Sequence, residues 1–365
     1  MKKATLLFSL LILAFLSFAQ EHEHSHQQAK NNKEDFNPTP LIMHHINDSH
    51  TWHLFDITDK ETGEEHPVSV PLPVILICNG HFDVFMSSEF EHGHKTVKRG
   101  DREYILYHDK IYLAQNGKLQ FDEEHTGEEA HPVNIKPLDL SITKNVAAMM
   151  FSAIVLLLVF IPMARMYKNG KSLVPRGIQG FLEPIVLFVV EDIAIPNIGE
   201  KHYKKYVPYL LTVFFFIWFN NLLGLVPILP GGANVTGNIA VTMTLAVFTG
   251  LITGVSGNKA YWADIFTPHV PFWLWPIMIP VEIMSVLSKP FALMIRLFAN
   301  ITAGHIIALS LVSLIFIFRT VWMAPVSTAF VLFMDVLELL VGILQAYIFT
   351  LLSALFIGLA VQEHH

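Results

Sequence analysis

Five uninterrupted apolar stretches constrain this chain more than any other feature. In lipid, every backbone N–H and C=O must be paired within the protein, and about 20 apolar residues in a row achieve that as a membrane-crossing helix. The stretches lie at about Val146–Met163, Tyr206–Val226, Thr236–Val255, Phe272–Phe318 and Pro325–Val361. Only 15% of the 365 residues are charged, against about 25% in an average soluble domain. Residues 1–140 hold 12 Lys and Arg against 22 Asp and Glu, with 14 of the 19 His, whereas residues 141–365 hold 12 against 9. An acidic, His-rich part therefore precedes a sparsely charged membrane part, and the bulk charge excludes a nucleic-acid binder.

Arg165, Lys168, Lys171, Arg176, Lys201, Lys204 and Lys205 cluster between the first two stretches, and Lys259 lies between the third and fourth. The loop Pro227–Val235 has no charge. Basic loops stay in the cytoplasm, so this pattern predicts an outside N-terminus and an inside C-terminus. Ile178–Ile195 is apolar but carries Glu183, Glu191 and Asp192, the pattern of a helix lying along the interface. Ile277–Phe318 as one helix would measure about 63 Å, about twice the ~30 Å hydrocarbon core. Either it breaks, with Pro280 and Pro290 able to kink its start, or the last two helices lie steeply tilted and antiparallel.

Before the membrane part, Lys2 and Lys3 precede the apolar run Ala4–Phe18, and a small residue, Ala19, follows. This is the plan of a secretory signal peptide over residues 1–19. Residues 20–66 read as a flexible, acidic segment; its tract Glu21-His22-Glu23-His24-Ser25-His26 carries imidazole and carboxylate groups that together suit zinc or nickel, and is either a metal-binding site or a solvated tail that binds metal only incidentally. Residues 67–140 read as a small β-rich periplasmic module and linker. Its short runs Val74–Cys78, His81–Met86, Tyr104–Tyr107 and Lys110–Ala114 are punctuated by Asn79-Gly80, Arg99-Gly100-Asp101 and Asn116-Gly117, a pattern of antiparallel strands and turns. The phrase Thr62-Gly-Glu-Glu-His66-Pro67-Val68 returns as Thr126-Gly-Glu-Glu-Ala-His131-Pro132-Val133, with no evident physical purpose. Cys78, the single cysteine, forms no intramolecular disulfide and reads as a small core residue.

An ionisable side chain inside a membrane helix is costly and marks a functional site. Glu282, Lys289 and Arg296 are spaced by seven, forming one slowly drifting helical stripe, and Asn300 shares the face of Arg296 at i+4. A guanidinium does not lose its proton, so Arg296 is a fixed positive charge that requires an anion. Glu282 is about 21 Å away along a helix, too far to serve. Asp335 or Glu338 on the last helix, or a group outside the chain, remain. His305 lies about half a turn round from Arg296. Asp335, Glu338 and Gln345 form a second polar stripe. In an antiparallel pair His305 and Glu338 meet, and such a pair exchanges a proton near neutral pH. Proton conduction past a fixed charge is one reading, and an interhelical hydrogen bond is the other.

The run Ser288-Lys-Pro-Phe-Ala-Leu-Met-Ile-Arg296-Leu-Phe-Ala-Asn300-Ile-Thr-Ala-Gly-His305, with Glu338 and Leu344-Gln345-Ala-Tyr-Ile-Phe-Thr-Leu-Leu downstream, closely resembles subunit a of F-type ATP synthases. Pro175–Phe188, Asn220–Pro227 and Asn238–Ala246 are similar too, so the resemblance covers about residues 141–365. It implies a non-catalytic stator subunit of the bacterial inner membrane, without cofactor or metal, lying against a ring of c subunits and held by peripheral-stalk b subunits. By motif position Arg296 matches the essential arginine. Asn300, His305, Glu338 and Gln345 match residues of the outer half-channel, and Glu282 an inner-side glutamate. The fold expected is an all-α polytopic membrane protein of about five transmembrane helices. Its last two helices are long and tilted, one helix is interfacial, and a β-rich module precedes them. Two other readings compete: a His-rich metal-ion transporter, which would need several ligands within its spans, and a membrane-anchored binding module, which would leave Arg296 unexplained.

Overall fold

A computed structural model describes residues 38–39, 46–58, 65–78, 80–93, 95–114, 117–121, 132–168, 177–226, 231–268, 270–318 and 322–362. The signal sequence, the His-rich tract and residues 126–131 of the second copy of the duplicated phrase lie outside them. The chain divides into two units, residues 1–148 with 226–233, and residues 149–225 with 234–365.

The first unit is built of antiparallel strands. Strand β1 (Thr51–Thr58) pairs with β2 (Glu65–Pro71), and β3 (Pro73–Cys78) pairs with β4 (His81–Met86). A second group contains β5 (Val97–Arg99), β6 (Arg102–Tyr107) and β7 (Lys110–Leu113), while β8 (Leu138–Asp139) joins the free edge of β3. Cys78 faces His81 across a two-residue connection in which Gly80 has φ 78°, a backbone that glycine adopts without steric cost and that tight hairpins require. The four strands read from the sequence are present. Strand β1 corrects the expectation that residues 20–66 are flexible throughout, because His53 to Thr58 gain ladder partners from β2, which begins inside the same stretch.

Alternation along β3 and β4 sends Val74, Leu76 and Phe85 inward to meet Phe90, Val97, Tyr104 and Ile111. Cys78 is buried with them. Tyr104 is fully buried and donates its hydroxyl to Asp83 at 2.7 Å; burial and that carboxylate push the phenol well above its ordinary range.

The start of the first long helix, α1 (Lys144–Lys168), is held by this unit. Asp48 accepts from the Thr143 hydroxyl at 2.8 Å and the Asn145 amide at 3.0 Å, and Ser49 O accepts from the Lys144 amide at 2.9 Å. Free N–H groups at a helix start demand such acceptors. Beside them His50 Nε2 lies 2.7 Å from Asp139 Oδ2, and Asp139 also accepts from the Ser141 amide at 2.9 Å.

In the second unit α1 is followed by α2 (Ile178–Phe188), a wider π-type turn at Val189–Ala194, and α3 (Ile195–Ile198). Then come α4 (Tyr203–Leu225), α5 (Ile239–Ser256), α6 (Lys259–Phe266), α7 (Trp275–Phe318) and α8 (Met323–Val361). Asn238 and Asn258 cap α5 and α6 through their side-chain oxygens. Among the described residues five helices are long and apolar enough to cross a membrane. Helix α7 is helical over 44 residues and α8 over 39, about 66 and 58 Å, so Pro280 and Pro290 do not break the first of them.

Helix α8 forms the centre. In its most apolar stretch 44% of residues are buried against the rest of the chain, against 6% in α7. Its buried side is lined by Gly342, Ala346, Ser353, Ala354 and Gly358, small residues that let membrane helices approach closely. A Cβ on Gly358 would collide with Asn197 O, so α3 packs directly on the backbone of α8. Asn258 donates to Gln362 O at 3.0 Å and Gln362 donates to Asn197 O at 3.1 Å, fixing α8 along its axis.

Burial alone would raise the Asp139 carboxyl, but hydrogen bonds from His50 and Ser141 outweigh it and hold the group below the usual carboxylate range. Its contribution to stability is therefore present above the ordinary value of about 4 and is lost as pH falls through the lower folded value. Limited proteolysis within residues 132–145 is expected to accelerate on acidification toward about pH 3. Asp139→Asn is expected to accelerate it already at neutral pH and to flatten that dependence.

Candidate functional site

Helices α7 and α8 form an antiparallel hairpin, and its geometry brings the polar residues together. His305 is about 13 residues before the end of α7 and Glu338 about 15 after the start of α8, so both stand about 20 Å from the hairpin turn. They meet there: His305 Nδ1 lies 3.3 Å from Glu338 Oε2, with side chains 21% and 12% exposed. The expected pairing across the two helices is thus present. Its closeness depends on Gly304, because a Cβ there would lie 2.6 Å from Glu338 Oε1. That oxygen is buried and has no hydrogen-bond partner among the described residues. It is a free acceptor next to an imidazole. Asp335, one turn before Glu338, is half-buried.

Arg296 has the opposite environment. Leu293, Met294 and Leu297 are buried, so α7 packs by that side and turns Arg296 outward. Arg296 and Asn300 are both exposed, together with Ala292, Ala299 and Ala303 on the same face. Among the described residues Arg296 has no ion-pair partner; neither Asp335 nor Glu338 reaches it. The result is a fixed charge on an apolar helix, set in a groove of small side chains.

The remaining expected residues are dispersed. Gln345, one heptad after Glu338 and so on nearly the same side of α8, is 2% exposed, between Gly342 and Ala346 on the packed side of that helix. Glu282 is half-buried in the first half of α7, and Lys289 places its ammonium 5.8 Å from the Phe356 ring.

The structure adds polar groups that the sequence reading did not single out. Asn221 on α4 donates to Gly342 O at 3.1 Å and accepts from Thr236 at 2.5 Å, and Thr302 approaches Gly237 O at 3.5 Å. Asn220 is buried with its Oδ1 unpartnered among the described residues. Two adjacent amides within an apolar helix were the available signal. Together these groups form a polar seam about one helical turn from the His305–Glu338 pair. Among the described residues no group of three His, Cys, Asp or Glu is placed to hold a metal.

Gly304→Ala is expected to force Glu338 away from His305. The ¹⁵N shifts of the labelled imidazole check this, and they should move in the direction produced by Glu338→Gln.

A family model described as ATP synthase A chain matches residues 147–358, and one described as a domain of unknown function matches residues 41–140. The ATP synthase subunit a of Chloroherpeton thalassium is 47% identical over 265 residues, 70% of this chain and 78% of that protein. That of Myxococcus xanthus is 47% identical over 247 residues, 66% of this chain and 80% of that protein. ATP synthase subunit a 2 of Chlorobium luteolum is 40% identical over 313 residues, 82% of this chain and 87% of that protein. The last alignment is longer than the membrane part and continues into the β-rich unit.

Proposed function

The chain belongs to the ATP synthase A chain family, subunit a of bacterial ATP synthases, and on that premise we propose that it is the proton-conducting stator of the membrane sector, working against a rotating ring of c subunits. The observation that carries this reading is Arg296: an exposed guanidinium on a membrane helix, with no ion-pair partner among the described residues and with alanines on its face. A charge at such a depth costs several kcal/mol unless an anion meets it, and the alanine groove leaves room for one on a neighbouring helix. In this reading the anion is the membrane carboxylate that each c subunit carries.

Protons enter from the outside through a half-channel, and His305 and Glu338 relay them to a ring carboxylate. The neutralised carboxylate then moves into lipid, which a charged one could not do without heavy desolvation cost. After nearly a full rotation it comes back to Arg296. A positive charge about 4 Å away at an effective dielectric of about 20 favours the ionised carboxylate by about 4 kcal/mol, about three pKa units. The proton therefore leaves, through an inner half-channel past Glu282. Because the guanidinium stays charged at all accessible pH, it also bars a proton from crossing directly between the half-channels.

The subunit carries out no chemistry on ATP itself. Peripheral-stalk b subunits hold it still while the ring turns. It sits in the bacterial inner membrane with its β-rich unit in the periplasm and its C-terminus in the cytoplasm, as the basic loops require. Tilted α7 and α8 follow the curved ring, which accounts for helices about twice the membrane thickness.

Arg296→Ala is expected to reduce ATP-driven proton pumping in inverted vesicles to background, with the protein still inserted; near-normal pumping would refute the reading. In the same vesicles Asn300→Cys, made in a Cys78→Ala background, is expected to crosslink to a small, abundant helical-hairpin protein.

A further inference from the structure

The three-stranded sheet formed by β4, β3 and β8 has two unlike faces. One is the core face already described. On the other, antiparallel register aligns two rows, Phe82–Ile77–Leu138 and Val84–Ile75–Leu140, with Met86 beginning a third. Phe82 is 63% exposed, Val84 52%, Leu138 61% and Leu140 54%. None of these outward positions is charged. The ion pairs Arg99–Glu89 and Lys98–Glu103 belong to the β5–β6 hairpin and the turn before it. The unit is therefore amphipathic, with its apolar side on one sheet. A contiguous exposed apolar patch marks an interaction surface.

The edge of that sheet leads straight into the membrane. Leu140 N donates to Ile75 O and Ile142 N donates to Pro73 O, so the ladder with β3 continues to within two residues of Lys144, where α1 begins. Asp48, Ser49 and the His50–Asp139 pair then fasten the helix start to the strands. No free linker intervenes. Leu140 is four residues from Lys144, at most about 14 Å of chain, and headgroup zones account for about 5–7 Å on each side of the hydrocarbon core. The exposed rows thus begin within about 14 Å of chain from the start of α1.

From this continuity we infer that the outer face of the β4–β3–β8 sheet rests on the bilayer interface, its Phe82, Val84, Leu138 and Leu140 side chains among the upper acyl carbons. The occupant is lipid, held by apolar burial rather than by charge. Residues 1–140 carry ten more acidic than basic groups, so anionic headgroups would repel the unit, and the contact is insensitive to salt. This gives the β-rich unit a role as an interfacial anchor for α1. It does not depend on the translocation reading.

The test uses the intact complex in phosphatidylcholine proteoliposomes containing a phosphatidylcholine with a diazirine on its upper acyl chain. After irradiation, label is expected in peptides covering residues 82–86 and 138–140, at a level like that of the exposed α1 residues Met150–Ile154, and not in 97–107. The pattern should be the same at low and high salt. Val84→Asp, a change at an exposed position, should lower labelling of 82–86 several-fold. Absence of label from 82–86 while α1 is labelled would overturn the inference, because water or a protein partner would then cover the face. Labelling unchanged by Val84→Asp, or lost at high salt, would overturn it too.

Discussion

A permanent positive charge with no ion-pair partner among the described residues governs the membrane unit. Most buried charges are paired within their own fold, since an unpaired one costs more than folding can offset. Arg296 is instead held outward by the burial of Leu293, Met294 and Leu297. The same packing that makes α7 a stable helix presents its guanidinium to whatever lies beyond. A lysine would not serve equally, because its ammonium can shed a proton when desolvated.

That exposure depends on close backbone approach elsewhere. Helix α8 reaches α3 through Gly358 and α4 through Gly342, and Gly304 lets Glu338 reach α7. Lipid offers no hydrophobic drive between helices, so small residues and interhelical hydrogen bonds supply the cohesion. Asn221 to Gly342, Tyr209 to Thr249 and Thr249 to Ser353 are of this kind. Because these contacts fix α8 along its axis, they also set the height of Glu338 relative to His305. The β-rich unit solves a different problem with similar means, holding the start of α1 with a carboxylate and a backbone carbonyl.

Much of this was legible in the residues. Apolar continuity predicted five crossings, and the strand runs matched β3, β4, β6 and β7 within two residues. His305 and Glu338 could be paired in advance because an antiparallel hairpin relates their positions by helix rise alone. Other features were hidden. Strand β1 holds Trp52, Leu54, Phe55 and Ile57 without strict alternation and is bulged after His53 in its pairing with β2, and local propensity is a weak guide to pairing of that kind. The burial of Gln345 was not legible either, since spacing gives relative angles on a helix but not which side meets a neighbour. The significance of Gly304 and Gly358 is likewise invisible without the groups they admit.

The sequence by itself determined the solvent of each part, the number of crossings and the presence of one guanidinium that must stay charged, because these follow from hydropathy and from side-chain chemistry. Tertiary structure decided that Arg296 faces outward, away from every described carboxylate, while His305 and Glu338 find each other. Those outcomes depend on helix rotation and on distances of a few ångströms, set by packing between residues far apart in the chain.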